Sequence, residues 1–445
     1  VGSEMCIRDS FSCWPRGSFF DPLTPAQQLY ESLRWLQTGE EDFFQHGLEL
    51  VHLNGQAEVL MEHFRYQGMT GLLGFNASFI VKRSNCVGSA ACSGGKPTAA
   101  SAAALYGQSG VPLFRCGRCG ARYSGRRATA LWNVHLCDKD YLRVATSLAE
   151  GCGIRTTGRI LDVDKDTVQR CARQAGRQCQ FVESVLMHHL RLEECQLDEM
   201  WSFVHKKQGH LDPFEQLQED IGDVWLHVAF EARLKLFVAI VPAKRTLESL
   251  RMVTRTVRLK SDGHVPLFTS DEYSGNLDAL LWEYGQLARL DRQGLVGRPS
   301  HSSYLIPTAG LKLAVVRKHR ENGRIYAVQP EIVFGTQQEV QQILNDSPCS
   351  RNINVSFVER SHLHQRLNNR RTTRKTLGFS KKLSMHEAQI WLSRGYYHFV
   401  RPHSSLRVRS DDGKRWMPRT PAMAAKVTDH IWSMKELLTF PNWYA

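Results

Sequence analysis

The chain lacks any run of about 18 consecutive apolar residues, the minimum for a helix that crosses a bilayer. It also has no convincing signal peptide. We therefore expect a cytoplasmic protein without a membrane partner, associated with the nucleoid if the organism is prokaryotic. The 12 cysteines are spread along 445 residues and are not packed as in small secreted scaffolds. Reduced thiols or metal ligands are expected in place of disulfides.

Acidic residues are few relative to basic ones, since 44 Asp and Glu face 57 Lys and Arg and leave a net charge of +13. Such an excess indicates an acidic partner, most commonly nucleic acid. Residues 360–409 hold twelve Lys or Arg and one acid, a net +11, so most of the excess lies there. A solvated surface is the alternative, but we expect DNA-phosphate contacts here, by Arg360, Arg366, Arg370, Arg371, Arg374 and Lys375.

One cysteine pair has the spacing of a metal knuckle. Cys116 and Cys119 form a C-x2-C motif, and Cys86 and Cys92 lie upstream with a looser spacing. Four thiolates in two pairs can hold a structural Zn²⁺ in tetrahedral geometry; free buried thiols are the alternative. Six of the remaining cysteines lack such pairing and are expected in the core: Cys137, Cys152, Cys171, Cys179, Cys195 and Cys349.

Residues 154–174 have the pattern of two short helices around a tight polar turn, with Asp164 as cap of the second. This is typical of a helix-turn-helix, although an ordinary helical hairpin is the alternative. We expect Arg155 and Arg159 to contact the DNA backbone. The second helix would present polar groups to phosphates or base edges: Lys165, Thr167, Gln169, Arg170 and Arg173.

The hydrophobic period changes after residue 195. Three strands are predicted at 196–205, 224–231 and 234–241, then a helix at 246–259 and a fourth strand at 265–270. A helix at 277–288, a loop at 289–310, extended runs at 312–317 and 324–334, and a helical region from 355 follow. The Gly, Ala and Ser-rich residues 93–110 are predicted as a loop. The order of elements from 196 is that of a ribonuclease-H-like α/β fold with a mixed sheet.

Three acids fall at distinctive points of this fold. Asp198 lies inside the first strand, Asp271 ends the fourth strand, and Glu359 begins the late helix. Converging carboxylates repel one another unless cations neutralise them, and hard oxygen ligands suit Mg²⁺ or Mn²⁺. Two such ions promote in-line phosphoryl displacement. Glu272 is an alternative to Asp271; strand alternation places Glu199 opposite Asp198.

These blocks resemble those of insertion-sequence transposases of the IS-one type. The strongest match is Glu359-Arg360 with Arg366 seven residues later, then Arg374-Lys375 and residues 379–381 (Phe-Ser-Lys). Residues 198–201 (Asp-Glu-Met-Trp) match the family's Asp-Glu-x-Trp block, and residues 269–271 (Thr-Ser-Asp) resemble its second-aspartate block. The resemblance covers about residues 80–410. This chain differs in its N-terminal region, its spacer between Asp271 and Glu359, and its C-terminal extension.

The resemblance implies a DDE transposase with a catalytic ribonuclease-H-like core, a zinc finger and a helix-turn-helix that bind terminal inverted repeats. Oligomerisation is expected because two DNA ends must be held. The alternatives are a non-catalytic DNA-binding regulator and a related metal-dependent nuclease. The expected divisions are residues 1–80 (helical), 81–135 (zinc-ribbon-like), 139–182 (helix-turn-helix), 193–395 (catalytic) and 396–445 (extension). Residues 1–10 resemble translated sequencing adapter and are excluded from the fold.

Overall fold

The computed structural model describes residues 101–106, 111–115, 122–289, 303–410 and 412–440. The helices predicted within residues 1–80 lie outside these ranges, as do Cys86, Cys92, Cys116 and Cys119. The described part of the chain is mixed α/β. None of its helices is both long and apolar enough to cross a membrane.

A small antiparallel sheet comes first in the described residues. Its strands are β1 (Ser101–Tyr106), β2 (Val111–Arg115) and β3 (Arg122–Ser124), in the order β1-β2-β3. The prediction of a loop at 93–110 is therefore wrong for β1. Cross-strand pairing with β2, from Ser101–Arg115 to Tyr106–Val111, overrides the weak strand preference of an alanine-rich segment.

Three helices follow: α1 (Asp138–Ala149), α2 (Ile154–Leu161) and α3 (Lys165–Leu186). The turn between α2 and α3 uses Asp162 with φ of +52°, and the Asp164 side chain accepts a hydrogen bond from the Asp166 N–H at 2.8 Å. The predicted cap and helix pair are confirmed. Helix α3 is longer than predicted because its second half buries an apolar face, including Val182 and Leu186.

The central region contains eight strands. They are β4 (Glu194–Val204), β5 (Gly222–Glu231), β6 (Leu236–Ala243), β7 (Leu267–Asp271), β8 (Gly285–Arg289), β9 (Ser303–Pro307), β10 (Lys312–Glu321) and β11 (Arg324–Phe334). Six of them form one mixed sheet in the order β11-β10-β7-β4-β5-β6. Strand β4 pairs antiparallel with β5 and parallel with β7, and β7 pairs parallel with β10.

Five helices accompany this sheet: α4 (Leu247–Lys260), α5 (Ser274–Tyr284), α6 (Gln337–Asn345), α7 (Ser356–Asn368) and α8 (Leu383–Gly395). The sequence predicted a helix through residue 288 and a loop at 289–310. The helix prediction is wrong after Tyr284, and the loop prediction is wrong at Arg289 and at Ser303–Pro307, which lie in β8 and β9. Helix α5 stops at Tyr284 because the chain enters the β8–β9 hairpin, whose ladder runs from Gly285–Pro307 to Arg289–Ser303.

The C-terminal residues pack back onto α3. They form a π-helical turn (Tyr396–Val400), the short strands β12 (Val408–Arg409) and β13 (Trp416–Met417), and the helices α9 (Pro421–Ala424) and α10 (Met434–Thr439). The Trp432 ring lies 5.0 Å from Phe399 and 5.9 Å from Phe440, between centroids. Phe440 in turn contacts Phe181 of α3 at 6.2 Å. These residues therefore belong to the main core.

Helices α3 and α8 form the closest helix contact of this core. A Cβ added at Gly176 of α3 would lie 2.2 Å from the Ala388 carbonyl oxygen of α8, so only glycine permits this approach. Further along the same helix, the fully buried Glu183 carboxylate lies 2.8 Å from Arg394 Nη2 and 3.2 Å from His398 Nδ1. An apolar contact and an ionic cluster thus join α3 to the sheet-bearing region.

Candidate active site

Two of the predicted acids lie on adjacent parallel strands. The register between β4 and β7 ends at Leu197–Ser270, so Asp198 and Asp271 follow one residue beyond it on each strand. Neighbouring residues of a parallel pair share a face of the sheet. The Asp198 Oδ1 accepts a hydrogen bond from the Glu199 N–H at 2.8 Å, and the Asp271 Oδ1 accepts one from the Tyr273 N–H at 3.3 Å. Sheet pairing therefore brings these two carboxylates together.

The third acid, Glu359, lies on α7, and Gln196 of β4 binds the start of that helix. Gln196 lies two residues before Asp198 and thus on the same face. Its Oε1 accepts a hydrogen bond from the Val358 N–H at 2.9 Å, and its Nε2 donates to the Asn354 carbonyl oxygen at 2.9 Å. Glu359 is the next residue after Val358. Gln196 was not among the predicted site residues; the signal in the sequence is a glutamine two residues before Asp198 in the same predicted strand.

The pKa of Asp198 responds to the charges of the other two acids. Burial is the main cause that raises the pKa of Asp198 to about 6, and the charges of Asp271 and Glu359 add to it. The nearby Lys318 ammonium opposes the rise. Lys318 lies on β10 and forms an ion pair with the Glu359 carboxylate. A protein cation thus already offsets part of the negative charge here.

The structure also distinguishes Asp271 from its neighbour Glu272. The exposed Glu272 forms an ion pair with Arg317 of β10, and Arg317 pairs with Glu331 as well. Asp271, by contrast, is the residue whose charge acts on Asp198. Asp271 is therefore the better candidate for the second acid, because its charge acts on Asp198 whereas Glu272 is paired with Arg317.

Glu199 makes its contacts on the other face of β4. Its side chain is 3% exposed, and its Oε2 lies 3.2 Å from Arg245 Nη2. The Arg245 guanidinium stacks on Trp225 at 4.8 Å and on Tyr273 at 4.1 Å. Burial, followed by the charge of Asp271, raises the pKa of Glu199 to about 7. The sequence predicted that Glu199 and Asp198 lie on opposite faces of β4. Their partners agree with this prediction, because Glu199 contacts Arg245 whereas Asp198 contacts His362 of α7.

A histidine on α7 contacts Asp198. His362 Nδ1 lies 3.3 Å from Asp198 Oδ2, and burial lowers the pKa of His362 to about 4, with a further contribution from Arg366. The ring is therefore neutral at pH 7. A neutral imidazole with its proton on Nδ1 would orient the carboxylate by donating to it. This role is positional.

The basic residues after Glu359 differ in their exposure. Arg360, Arg370, Arg374 and Lys375 are exposed. Burial and the charge of Arg374 lower the pKa of Arg366, whereas the charge of Asp198 raises it. Arg366 therefore lies near both Arg374 and Asp198. Arg371 is turned inward, where it donates to Ser380 Oγ at 3.1 Å. Arg366 is therefore the one of the six that the structure links to Asp198, four others are exposed to solvent, and Arg371 instead has a structural partner.

The predicted DNA-contacting residues lie on two consecutive helices, α2 and α3. Arg155, Arg159, Lys165, Arg170 and Arg173 are exposed, and Thr167 and Gln169 are half-buried. Among the cysteines expected in the core, Cys171, Cys179 and Cys195 are buried, whereas Cys137, Cys152 and Cys349 are only partly so. The six are free thiols.

In the described ranges, no three His, Cys, Asp or Glu side chains stand as a ready-made metal group. The donor chemistry of Asp198, Asp271 and Glu359 nevertheless fits a hard divalent cation, since these are carboxylates and the charges of two of them act on the third. Comparison with protein-family models gave no match, and comparison with curated proteins gave none either. The geometry of the site is thus the basis for assigning a function.

Proposed function

We propose that this chain is a DDE-type DNA transposase that cleaves DNA at the inverted-repeat ends of an insertion sequence and joins those ends to a target. The observation that carries the proposal is that Asp198 and Asp271 lie on adjacent central strands of a mixed sheet and that the charges of Asp271 and Glu359 both act on Asp198. The strand order supports a ribonuclease-H-like core: an antiparallel meander of β4, β5 and β6, with β7 and β10 added parallel on the other side of β4.

Asp198, Asp271 and Glu359 would hold Mg²⁺ or Mn²⁺ in this proposal. The bound ions would activate the attacking oxygen and stabilise the leaving oxygen of a phosphoryl transfer. Gln196 fixes the start of α7 and so the position of Glu359. His362 orients Asp198. Arg366 lies near Asp198, and Arg374 lies near Arg366; guanidinium groups bind phosphate oxygens in bidentate fashion.

Two modules would supply DNA recognition. Helices α2 and α3 would act as the helix-turn-helix, with α3 as the recognition helix in the major groove. Cys86, Cys92, Cys116 and Cys119 would hold one structural Zn²⁺ per chain. Metal analysis of the purified protein tests the second module, with about one zinc per chain expected for a four-thiolate site. A zinc-free, folded protein would contradict it.

A strand-transfer assay with Mg²⁺ and DNA carrying the flanking inverted repeats tests the main proposal. Asp198→Asn, Asp271→Asn and Glu359→Gln should each reduce cleavage and joining by at least about 10²-fold, the scale for losing one group that stabilises transition-state charge. Glu272→Gln is the matched control, because Glu272 faces Arg317, and it should retain near-normal rates. Full activity of the three variants would refute the triad; cleavage without joining would indicate a nuclease.

A further inference from the structure

A two-stranded arm extends from the central sheet at the candidate active site. The register of β10 with β7 ends at Val316–Asp271. Beyond that point β10 and β11 pair only with each other, through residues 317–329, and we call this segment the arm. Five residues of β10 follow Val316, so the arm reaches about 16 Å past Asp271 at 3.3 Å per residue. It therefore starts beside the carboxylates and leads away from them.

The turn of the arm has the sequence and backbone conformation of a tight β-hairpin turn. Asn322 and Gly323 connect the strands with φ of +49° and +78°. An Asn-Gly turn with two positive φ angles matches the right-handed twist of the strands it joins. The ribbon is thus a defined element and not a loop.

The surface of the arm carries cations that no described side chain neutralises. Residues 317–329 contain four Lys or Arg and one acid. At the base, Lys318 is paired with Glu359 of the candidate active site, and Arg317 is paired with Glu272 and Glu331. Toward the tip, Arg320 and Arg324 are exposed, and within the described residues neither forms an ion pair. An anionic partner would be attracted to the tip, while the base stays attached to the carboxylate site.

Apolar side chains on the arm are also exposed. Tyr326 is 68% exposed, Val328 57% and Ile325 47%. The His319 ring lies 6.0 Å from the Tyr326 ring. Exposed apolar groups next to unpaired cations are typical of a surface that contacts sugars, bases and phosphates together. Pro330 interrupts the free edge of β11 and disfavours pairing with another strand.

We propose that the arm is a duplex-DNA-binding element that inserts into a groove of the DNA next to the bond to be cut. The major groove of B-DNA is about 12 Å wide and admits a two-stranded β-ribbon. Because the arm begins at Asp271 and Lys318, a duplex whose phosphate lies at the carboxylates would pass along it. This inference rests on the proposed function, since it takes DNA as the substrate of that site.

The test is duplex binding by the full chain in EDTA, measured over a range of salt concentrations. Arg320→Ala/Arg324→Ala should weaken binding at least about tenfold at moderate salt and lower the salt slope by about 2, one unit per lost phosphate contact. Arg320→Lys/Arg324→Lys keeps the charge and should keep most of the slope. Lys414→Ala/Lys435→Ala removes two exposed charges from the C-terminal residues and should leave binding near the wild-type level.

The outcomes separate this inference from the proposed function. Unchanged binding by the arm variant, or an equal loss in the Lys414/Lys435 control, would overturn the arm as a specific DNA contact. A shift in sedimentation without a change in DNA binding would also overturn it, in favour of pairing with a second copy of the chain. Arm-dependent binding without any Mg²⁺-dependent cleavage would support the arm and contradict the transposase. Arm variants that bind duplex DNA and cleave it at wild-type rates would contradict the arm and support the transposase.

Discussion

Gln196 is the residue on which the position of Glu359 depends. Its side-chain amide donates to the carbonyl oxygen and the Oδ1 of Asn354 and accepts from the Val358 N–H, so three hydrogen bonds connect β4 to the start of α7. Gln196→Met removes all three at similar side-chain length. The Val358 N–H would be left buried and unpaired, so the free energy of unfolding should fall by about 1–3 kcal/mol. Cleavage should fall further, up to about 10²-fold, because small displacements of a catalytic group are costly.

A second buried glutamine provides the control for that experiment. Gln389 lies on α8, and its Nε2 donates to the Leu148 carbonyl oxygen at 2.9 Å. Gln389→Met should lose similar stability, measured by chemical denaturation, but retain its cleavage rate. Equal losses of rate in both variants at matched stability would show that Gln196 has only a structural role.

The site could be predicted only in part from the sequence. Asp198 was recognisable because an acid inside an apolar strand is unusual, and Asp271 because it ends a strand. The contacts of Lys318, Arg245 and Gln196 could not be predicted, because each joins elements that are distant in sequence and depends on sheet order. Arg371 looked like its basic neighbours, but the turn after α7 points it towards Ser380.

The cluster around Glu183 connects α3 to α8, α4 and the π-helical turn. Burial alone would raise the pKa of Glu183, but the charges of Arg394, His398 and Lys260 outweigh it and lower the pKa to about 2 from an ordinary 4.5. The folded protein thus binds fewer protons at Glu183 than the unfolded chain between these values. The stability from this ionisation is complete above pH 4.5 and is lost as the pH falls towards 2.

Glu183→Gln should therefore destabilise the protein by about 3–5 kcal/mol at pH 7, because it leaves buried cations without their counter-ion. Urea denaturation should show this difference at pH 7 and pH 5 and a smaller one at pH 3, because Glu183 takes up a proton as the pH falls below 4.5 towards 2. Between pH 7 and 5 the difference should rise, because Lys260, whose pKa burial lowers to about 7 and the charge of Glu183 raises, becomes charged. Glu248→Gln, at an exposed ion pair with Arg251 on α4, should change stability by less than about 1 kcal/mol. A difference at pH 3 as large as that at pH 5 would contradict the ionised state assigned to Glu183.

The packing of α3 on α8 gives a prediction about glycine. At Gly176 an added Cβ would lie 2.2 Å from the Ala388 carbonyl oxygen, so Gly176→Ala must push the helices apart. We expect a loss of about 1–3 kcal/mol, the usual cost of overpacking a core. Gly209→Ala is the control, because nothing lies within 4 Å of its added Cβ. Equal thermal stability of the two variants would contradict the close approach.

The order of elements from β4 to α7, apart from β8, β9 and the unpredicted helix α6, followed from hydrophobic period, because buried strands and helices differ clearly in pattern. The β8–β9 hairpin and β1 were missed for a different reason. Their residues have weak strand preferences, and pairing with a partner strand stabilises them. Sheet order, which places β7 between β4 and β10, is set by tertiary contacts and is not encoded in any local window.

DNA recognition and phosphoryl transfer are assigned to separate parts of the chain, so variants should separate them. Arg170 and Arg173 are exposed on α3, and Arg170→Ala/Arg173→Ala should cost about 1–3 kcal/mol of preference for the inverted repeat for each lost base contact. Non-specific duplex binding should fall less. Asp198→Asn should show the opposite behaviour, with normal repeat binding in EDTA and no cleavage in Mg²⁺. Competition binding with repeat and scrambled duplexes measures the first effect. If Arg170→Ala/Arg173→Ala keeps full preference for the repeat, α3 is not the recognition helix, whatever the carboxylate variants do.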